Sequence, residues 1–216
     1  MNILMVDDHP FIIEAYKNTI AGYQTPDQEV VITQASNCKA AYEIITNPNV
    51  VPFDVAFLDI SMPPYVEKNI LSGEDLAKLL KRTIPACRII LLTMHTEVLK
   101  ISSIIKTINP NGLIIKNDLT FDELLLAFDK IIKNENYYSQ TVVKYISQSM
   151  NEDVLIDDLD RQILFHLSRG VKTKNIPLHT SLSLSTVEKR KLNIKELFKV
   201  RTDEDLIREA KLRGFI

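Results

Sequence analysis

The sequence predicts an α/β protein followed by a small all-α domain, and three observations carry this. Short apolar, β-branched runs alternate with longer helical patterns through the first two thirds of the chain. The strand runs are apolar nearly throughout, as strands covered on both faces are. From about residue 158 no strand pattern recurs, and only short helical segments follow. Five strands alternating with five helices imply right-handed βαβ units around a five-stranded parallel, doubly wound sheet.

Each element has its own signal. The first strand is the buried-type run NILMV (2–6). PFIIEAYKNTIAG (10–22) opens on Pro and ends on Gly, the order helices favour. EVVITQA (29–35) reads as a strand, and NCKAAYEIITN (37–47) as a helix with Asn37 as N-cap. DVAFLD (54–59) is a strand, and SGEDLAKLLKRTIP (72–85) a helix stopped by Pro85. RIILLTM (88–94) is a strand, EVLKISSIIKTIN (97–109) a helix, and GLIIK (112–116) a strand. TFDELLLAFDKIIKN (120–134) is an amphipathic helix with Thr120 and Glu123 at capping-box spacing. Residues 135–157 are polar, with an amphipathic stretch around Val142 to Ile146, and read as a partly helical linker. Residues 158–216 hold four short helical segments, 158–170, 171–176, 181–200 and 202–214.

Bulk properties narrow the class. The chain has 216 residues, 45% hydrophobic and 25% charged, the balance of a soluble globular protein with room for two domains. Cys38 and Cys87 stand far apart with no CxxC spacing, which argues against a zinc site and for a reducing compartment. No apolar stretch is long enough to span a bilayer, and the N-terminus lacks a basic leader region. A cytoplasmic protein without a membrane partner is expected.

The chemistry collects at strand ends. Asp7 and Asp8 follow the first strand, Asp59 ends the third, Thr93 lies at the end of the fourth, and Lys116 ends the fifth. In a parallel sheet these ends share one edge, where ligand sites lie. A single Asp after a strand is an ordinary turn former; five such groups at one edge are not explained that way. Three acids close together repel, and either take up a proton or need a cation. Open oxygen ligands suit Mg²⁺, an Asp can act as a nucleophile, and phosphoryl transfer needs mainly positioning and charge neutralisation. His9 reads as part of the first helix's start, and His95 as a loop residue.

VDDHP, FLDISMP, LLTMH and GLIIK, in this order, resemble the receiver domain of two-component response regulators, over about residues 1–134. The resemblance implies a flavodoxin-like fold with Asp59 as phosphoacceptor. It implies Mg²⁺ held by Asp8, by Asp7 directly or through water, by Asp59 and by the Ser61 backbone carbonyl. Thr93 would be the switch hydroxyl and Lys116 the phosphate-binding lysine. Two features depart from the family. PYVEKNILS, between Pro63 and Gly73, is longer than the usual loop and stands where it bears on partner access or phosphate lifetime. Leu113 replaces the usual aromatic switch three residues before the lysine.

The C-terminal region has its own charge. Residues 161–201 contain ten Lys and Arg against two acids, hidden by a net charge of −2 for the chain. A basic helical patch suits a phosphate backbone, whereas any charge run can also be a solvated face. A helix capped by Ser183 puts Val187, Ile194 and Phe198 on one face and Glu188, Lys189, Leu192 and Lys195 outward. Residues 158–216 resemble the helix-turn-helix output domain of the LuxR/NarL class. That resemblance implies double-stranded DNA contacts from Lys174, Ser183, Thr186, Glu188, Lys189, Arg190, Leu192 and Lys195. Glu188 and Leu192 depart from the common groove-reading types, and Pro177 is expected to shorten or bend the first helix of the motif.

The expected protein is a phosphorylation-controlled, DNA-binding regulator, served by a sensor histidine kinase or a small phosphodonor and homodimeric when active. It is not an enzyme beyond its own phosphorylation chemistry. A receiver-controlled protein-interaction module is the alternative. A phosphohydrolase acting on other substrates is disfavoured, because Asp59-Ile60-Ser61 lacks a second acid.

Overall fold

The computed structural model of the protein describes residues 1–21, 29–149 and 156–216. The Gly22 end of the first expected helix and residues 150–155 of the expected linker lie outside these.

Two compact units result, Met1–Thr96 with Ile108–Lys144, and Glu97–Thr107 with Tyr145–Ile216. The first is built on β1 (Asn2–Val6), β2 (Val31–Ala35), β3 (Val55–Asp59), β4 (Arg88–Thr93), β5 (Gly112–Ile115) and β6 (Tyr137–Tyr138). Their order is β2-β1-β3-β4-β5-β6, and every pairing is parallel. Its helices are α1 (Pro10–Ala21), α2 (Cys38–Thr46), α3 (Gly73–Thr83) and α5 (Phe121–Ile132). α4 (Val98–Ile108) connects β4 to β5 in sequence, and α6 (Gln140–Ser149) follows β6.

The helix starts follow from side-chain chemistry. Asn37 Oδ1 accepts from the Ala40 N–H at 2.9 Å. Ser72 Oγ accepts from the Glu74 N–H at 3.2 Å, and Thr120 Oγ1 from the Glu123 N–H at 3.2 Å. Each bond satisfies a donor that the first turn leaves open. Met5, Phe57, Ile90, Leu92 and Ile114 of the central strands pack with Tyr16 of α1 and Phe128 of α5. Burying each large apolar chain contributes roughly 2 kcal/mol. The near-continuous apolar strands are thereby explained.

β6 is an addition to the expected five strands. Its two residues lie in the stretch read as linker. The Tyr137 N–H donates to Asn111 O at 2.9 Å, and the Ser139 N–H to Leu113 O at 3.1 Å. Ser139 Oγ accepts from the Ile115 N–H at 3.2 Å, and Asp118 accepts from both the backbone N–H and the hydroxyl of Thr141. The long segment before α3 is ordered as well. Tyr65 and Ile70 form an antiparallel bridge across a 3-10 turn at Val66–Lys68, with Asn69 in the left-handed region. The Tyr65 ring meets Tyr42 of α2 edge-on at 5.6 Å.

The second unit is helical: α7 (Asp158–Ser168), α8 (Leu184–Phe198) and α9 (Asp203–Leu212), with a 3-10 segment at Thr173–Leu178. Pro177 lies inside that segment, and the expected shortened helix is this 3-10 turn. Ile163, Leu164, Ile176, Val187, Ile194, Phe198, Leu206 and Phe215 form its core. Leu99 packs on the same core, Ser103 Oγ donates to Ile156 O at 3.0 Å, and the Lys100 ammonium lies 5.2 Å from the Phe215 ring centroid. Asp157 and Asp160 complete a reciprocal capping box at the start of α7.

Candidate functional site

Strand register brings the polar groups together. Val6 pairs with Leu58, Asp59 with Leu92 and Thr93 with Ile115, so the carboxyl ends of β1, β3, β4 and β5 lie nearly level. Asp7 and Asp59 are buried, at 2% and 3% exposure, while Asp8 is exposed. Lys116 Nζ stands 2.7 Å from Asp7 Oδ2 and 2.9 Å from Asp59 Oδ2. One ammonium thus bridges two buried carboxylates.

Burial pushes the Asp59 carboxyl above the usual carboxylate range. The Lys116 ammonium pulls it back, the Asp7 charge pushes it up again, and the Ser61 N–H at 3.2 Å from Oδ1 lowers it a little. Burial acts to lower the Lys116 ammonium, but its bonds to Asp7 and Asp59 hold it above the usual lysine range. Burial thus raises the Asp59 carboxyl, while the Lys116 ammonium is held charged by the two acids it bridges.

Backbone shape matters as much. A Cβ at Gly73 would fall 1.9 Å from the Asp59 carbonyl oxygen. The start of α3 therefore presses against the phosphoacceptor candidate in a way only glycine permits. The Gly73 N–H also donates to Ile60 O at 3.1 Å. Thr93 is fully buried, and its Oγ1 accepts from the His95 N–H at 3.0 Å. Leu113, at the usual aromatic position, is wholly buried on β5 between Leu91 and Tyr138.

His9 adds something that reading it as a helix start missed. Its Nδ1 lies 2.7 Å from Asp8 Oδ1 and 3.1 Å from Asp7 Oδ1, and its N–H donates to Asp7 Oδ1 at 2.9 Å. Asp7, Asp8, His9 and Asp59 each offer a ligand atom within 4.8 Å of the others. The signal available in sequence was the third letter of DDH. Three carboxylates against one ammonium leave a negative excess, and their oxygen donors fit a hard divalent cation. Cys38 and Cys87 are buried away from this chemistry, and burial pushes both thiols up to about 12.

In the helical unit, Ser183 caps α8, its Oγ accepting from the Thr186 N–H at 3.2 Å and contacting the Thr186 hydroxyl at 2.8 Å. Lys174, Glu188, Lys189 and Leu192 are exposed. Arg190 and Lys195, expected among the DNA contacts, have other partners here. Arg190 Nη1 lies 2.8 Å from Asp157 and 2.9 Å from Asp160, tying α8 to the α7 cap. Lys195 pairs with Asp203 at 2.5 Å, alongside Lys191 at 3.0 Å. The reason is local: the acids that cap α7 and open α9 fall beside the basic helix. Lys174 and Lys189 carry no such pair among the described residues.

Comparison with known proteins agrees with this geometry. The response regulator receiver domain family matches residues 3–129. The chain belongs to the response regulator receiver family. It is 26% identical over 218 residues to the transcriptional regulatory protein MctR of Rhizobium johnstonii, covering all of this chain and 95% of the relative. It is 26% identical to the oxygen regulatory protein NreC of Staphylococcus epidermidis, covering 97% and 96%. Among solved structures, RcsB of Salmonella enterica serovar Typhimurium, bound to promoter rprA with the phosphomimetic BeF3⁻, superposes with a TM-score of 0.68. That likeness is 21% identical over 97% of each chain and speaks to the fold. Among the described residues no helix is long and apolar enough to cross a membrane.

Proposed function

We propose that the chain is a DNA-binding response regulator of a two-component system, cytoplasmic, switched by phosphorylation of Asp59. The observation that carries this reading is Lys116 bridging Asp7 and Asp59 at 2.7 and 2.9 Å. An Asp59 carboxylate oxygen attacks the phosphorus of a histidine kinase's phosphohistidine or of a small phosphodonor. The bond from phosphorus to the donor breaks, and its electron pair leaves with the donor. Lys116 then turns its ammonium to a phosphoryl oxygen, and Thr93 offers its hydroxyl to another. Asp7, Asp8, Asp59 and the Ser61 backbone carbonyl would hold Mg²⁺, which when bound neutralises charge on the phosphoryl oxygens. Loss of the Lys116–Asp59 pair rearranges the carboxyl edge and biases a two-state surface.

Output runs through the helix-turn-helix. The full-length similarity to a transcriptional regulatory protein, and the exposed Lys174, Glu188, Lys189 and Leu192 with the half-buried Thr186 around the Ser183 cap, support DNA contact, with homodimers reading paired half-sites. The proposed boundaries are a receiver over 1–134, a linker over 135–157 and an output domain over 158–216. The test is Asp59→Asn with acetyl phosphate, together with selection of bound duplexes from random DNA. Wild-type phosphate incorporation by the variant defeats the site assignment, and no enriched duplex in either state defeats DNA reading. A second reading, a protein-interaction module, draws on Leu192 at 56% exposure and on the paired Arg190 and Lys195. Complex formation insensitive to salt favours it, because phosphate contacts give a steep salt dependence.

A further inference from the structure

We propose that Glu188 and Leu192 are the base-reading pair of α8, so that each DNA half-site carries a cytosine and, about two base pairs away, a thymine. The inference rests on the DNA-binding reading above and names the sequence this surface selects. Arg190, Lys191 and Lys195 of α8 are tied to Asp157, Asp160 and Asp203. Glu188 is exposed, and its carboxylate has neither ion pair nor hydrogen bond among the described residues. Lys191, at the three-residue spacing that suits a helix ion pair, is taken instead by Thr173 Oγ1 at 2.9 Å and Asp203 at 3.0 Å. Leu192 is 56% exposed, although Val187, Ile194 and Phe198 already supply the core face of α8.

Packing and ion pairing therefore account for neither side chain. A carboxylate brought to a duplex is repelled by the phosphates and lowers affinity unless it meets a donor. In the major groove the cytosine N4 amino group is such a donor, and the thymine methyl group suits an apolar side chain. Adenine N6 also donates there, but the adjacent N7 acceptor repels a carboxylate. Residues four apart on a helix lie about 40° apart and rise roughly 6 Å, close to two base-pair steps of about 3.4 Å. Glu188 and Leu192 thus form one stripe that meets bases at that separation. Lys189 lies to the side of it, about 100° around the helix from Glu188, where a backbone phosphate is the natural partner.

The experiment is selection of bound duplexes from random DNA by the full chain, with and without Mg²⁺ and beryllofluoride, in wild type and Glu188→Gln. Binding titrations of wild type and Leu192→Ser follow, on the selected site and on the same site with deoxyuridine in place of the thymine. The expected wild-type motif holds the cytosine and the thymine at the stated separation. Glu188→Gln exchanges that cytosine for adenine, whose N6 and N7 a glutamine amide matches, and leaves the rest of the motif unchanged. Deoxyuridine, which lacks only the methyl group, weakens wild-type binding by about fourfold and leaves Leu192→Ser unaffected. A motif without the cytosine, a cytosine that survives Glu188→Gln, or a deoxyuridine site bound by wild type as tightly as the thymine site overturns the inference and leaves DNA reading standing. No enriched duplex for the wild type in either state defeats DNA reading itself and this inference with it, and turns the exposed Leu192 toward a protein partner.

Discussion

Lys116 Nζ lies 2.9 Å from Asp59 Oδ2, and it is the same ammonium that holds Asp7. Asp59 therefore stays chargeable in a buried setting largely with help from the residue that follows β5. Lys116→Met removes that help, and the Asp59 carboxyl should titrate still higher than in the wild type. Carboxyl carbon NMR of the two proteins reads this directly. Phosphate uptake from acetyl phosphate should slow by about a hundredfold, the usual cost of losing one charged donor at a reacting oxygen. An unshifted Asp59 would mean that the pair does not set its charge.

Gly73→Ala should be far more damaging than Gly112→Ala. The first places a methyl group 1.9 Å from the Asp59 backbone oxygen, where nothing flexible can yield. The second meets only the Ile90 side chain, at 3.1 Å. Urea unfolding of the full chain should show a loss of about 3 kcal/mol for Gly73→Ala and about 1 kcal/mol for Gly112→Ala. Equal losses would show that α3 can move away from β3.

Two neighbouring cations on α8 should behave differently. Lys189→Ala should leave stability unchanged, weaken DNA binding across all sequences and reduce the salt slope by about one. Arg190→Ala breaks the pairs to Asp157 and Asp160, and should destabilise the helical unit by about 1–2 kcal/mol. Hydrogen exchange of α7 amides would report the second effect. A stable Arg190→Ala chain with an altered salt slope would reverse the assignment of the two roles.

Acid should loosen the helical unit through His166. This residue is 5% exposed, stacks on His179 with ring centroids 4.8 Å apart, and has Nε2 buried without a hydrogen bond. Burial, with His179 and Arg169 nearby, holds its pKa below the ordinary 6.5. The unfolded chain therefore binds the proton more readily. The stability His166 contributes is fully present above about pH 6.5, and is lost as pH falls from there toward the depressed folded value. Amide protection over residues 158–216, relative to the intrinsic exchange rate at each pH, should fall between pH 7 and 5 in the wild type and less so in His166→Phe. Identical pH profiles would exonerate this ring.

Much of the site was legible because parallel strands deliver their last residues to one edge. Knowing the ends of NILMV, DVAFLD, RIILLTM and GLIIK was enough to bring Asp7, Asp59, Thr93 and Lys116 together. Reach across the fold was not legible in this way. Nothing in DHP says that the ring of His9 turns back onto the preceding acids, because that depends on the angle at which α1 leaves β1. Nor does periodicity reveal Arg190 pairing with Asp157 and Asp160, which are 33 and 30 residues away. β6 escaped because two residues cannot show an alternation, and its evidence lies in the partner strand. The Pro177 effect was readable, since a missing N–H and a fixed φ act locally.

β6 also guards the sheet. Without it, β5 would present an unpaired row of backbone donors and acceptors, a template for another chain. The Asn111, Leu113 and Ile115 backbone groups are instead occupied by Tyr137 and Ser139. A receiver cut at residue 134, where its helices end by sequence, would lose that cover and should associate edge to edge in sedimentation experiments. One cut at residue 149 keeps the strand and the α6 turn that anchors it through Asp118 and Thr141, and should remain monomeric when unphosphorylated at the same concentration. The stretch that reads as a tether is thus part of what keeps the receiver from aggregating.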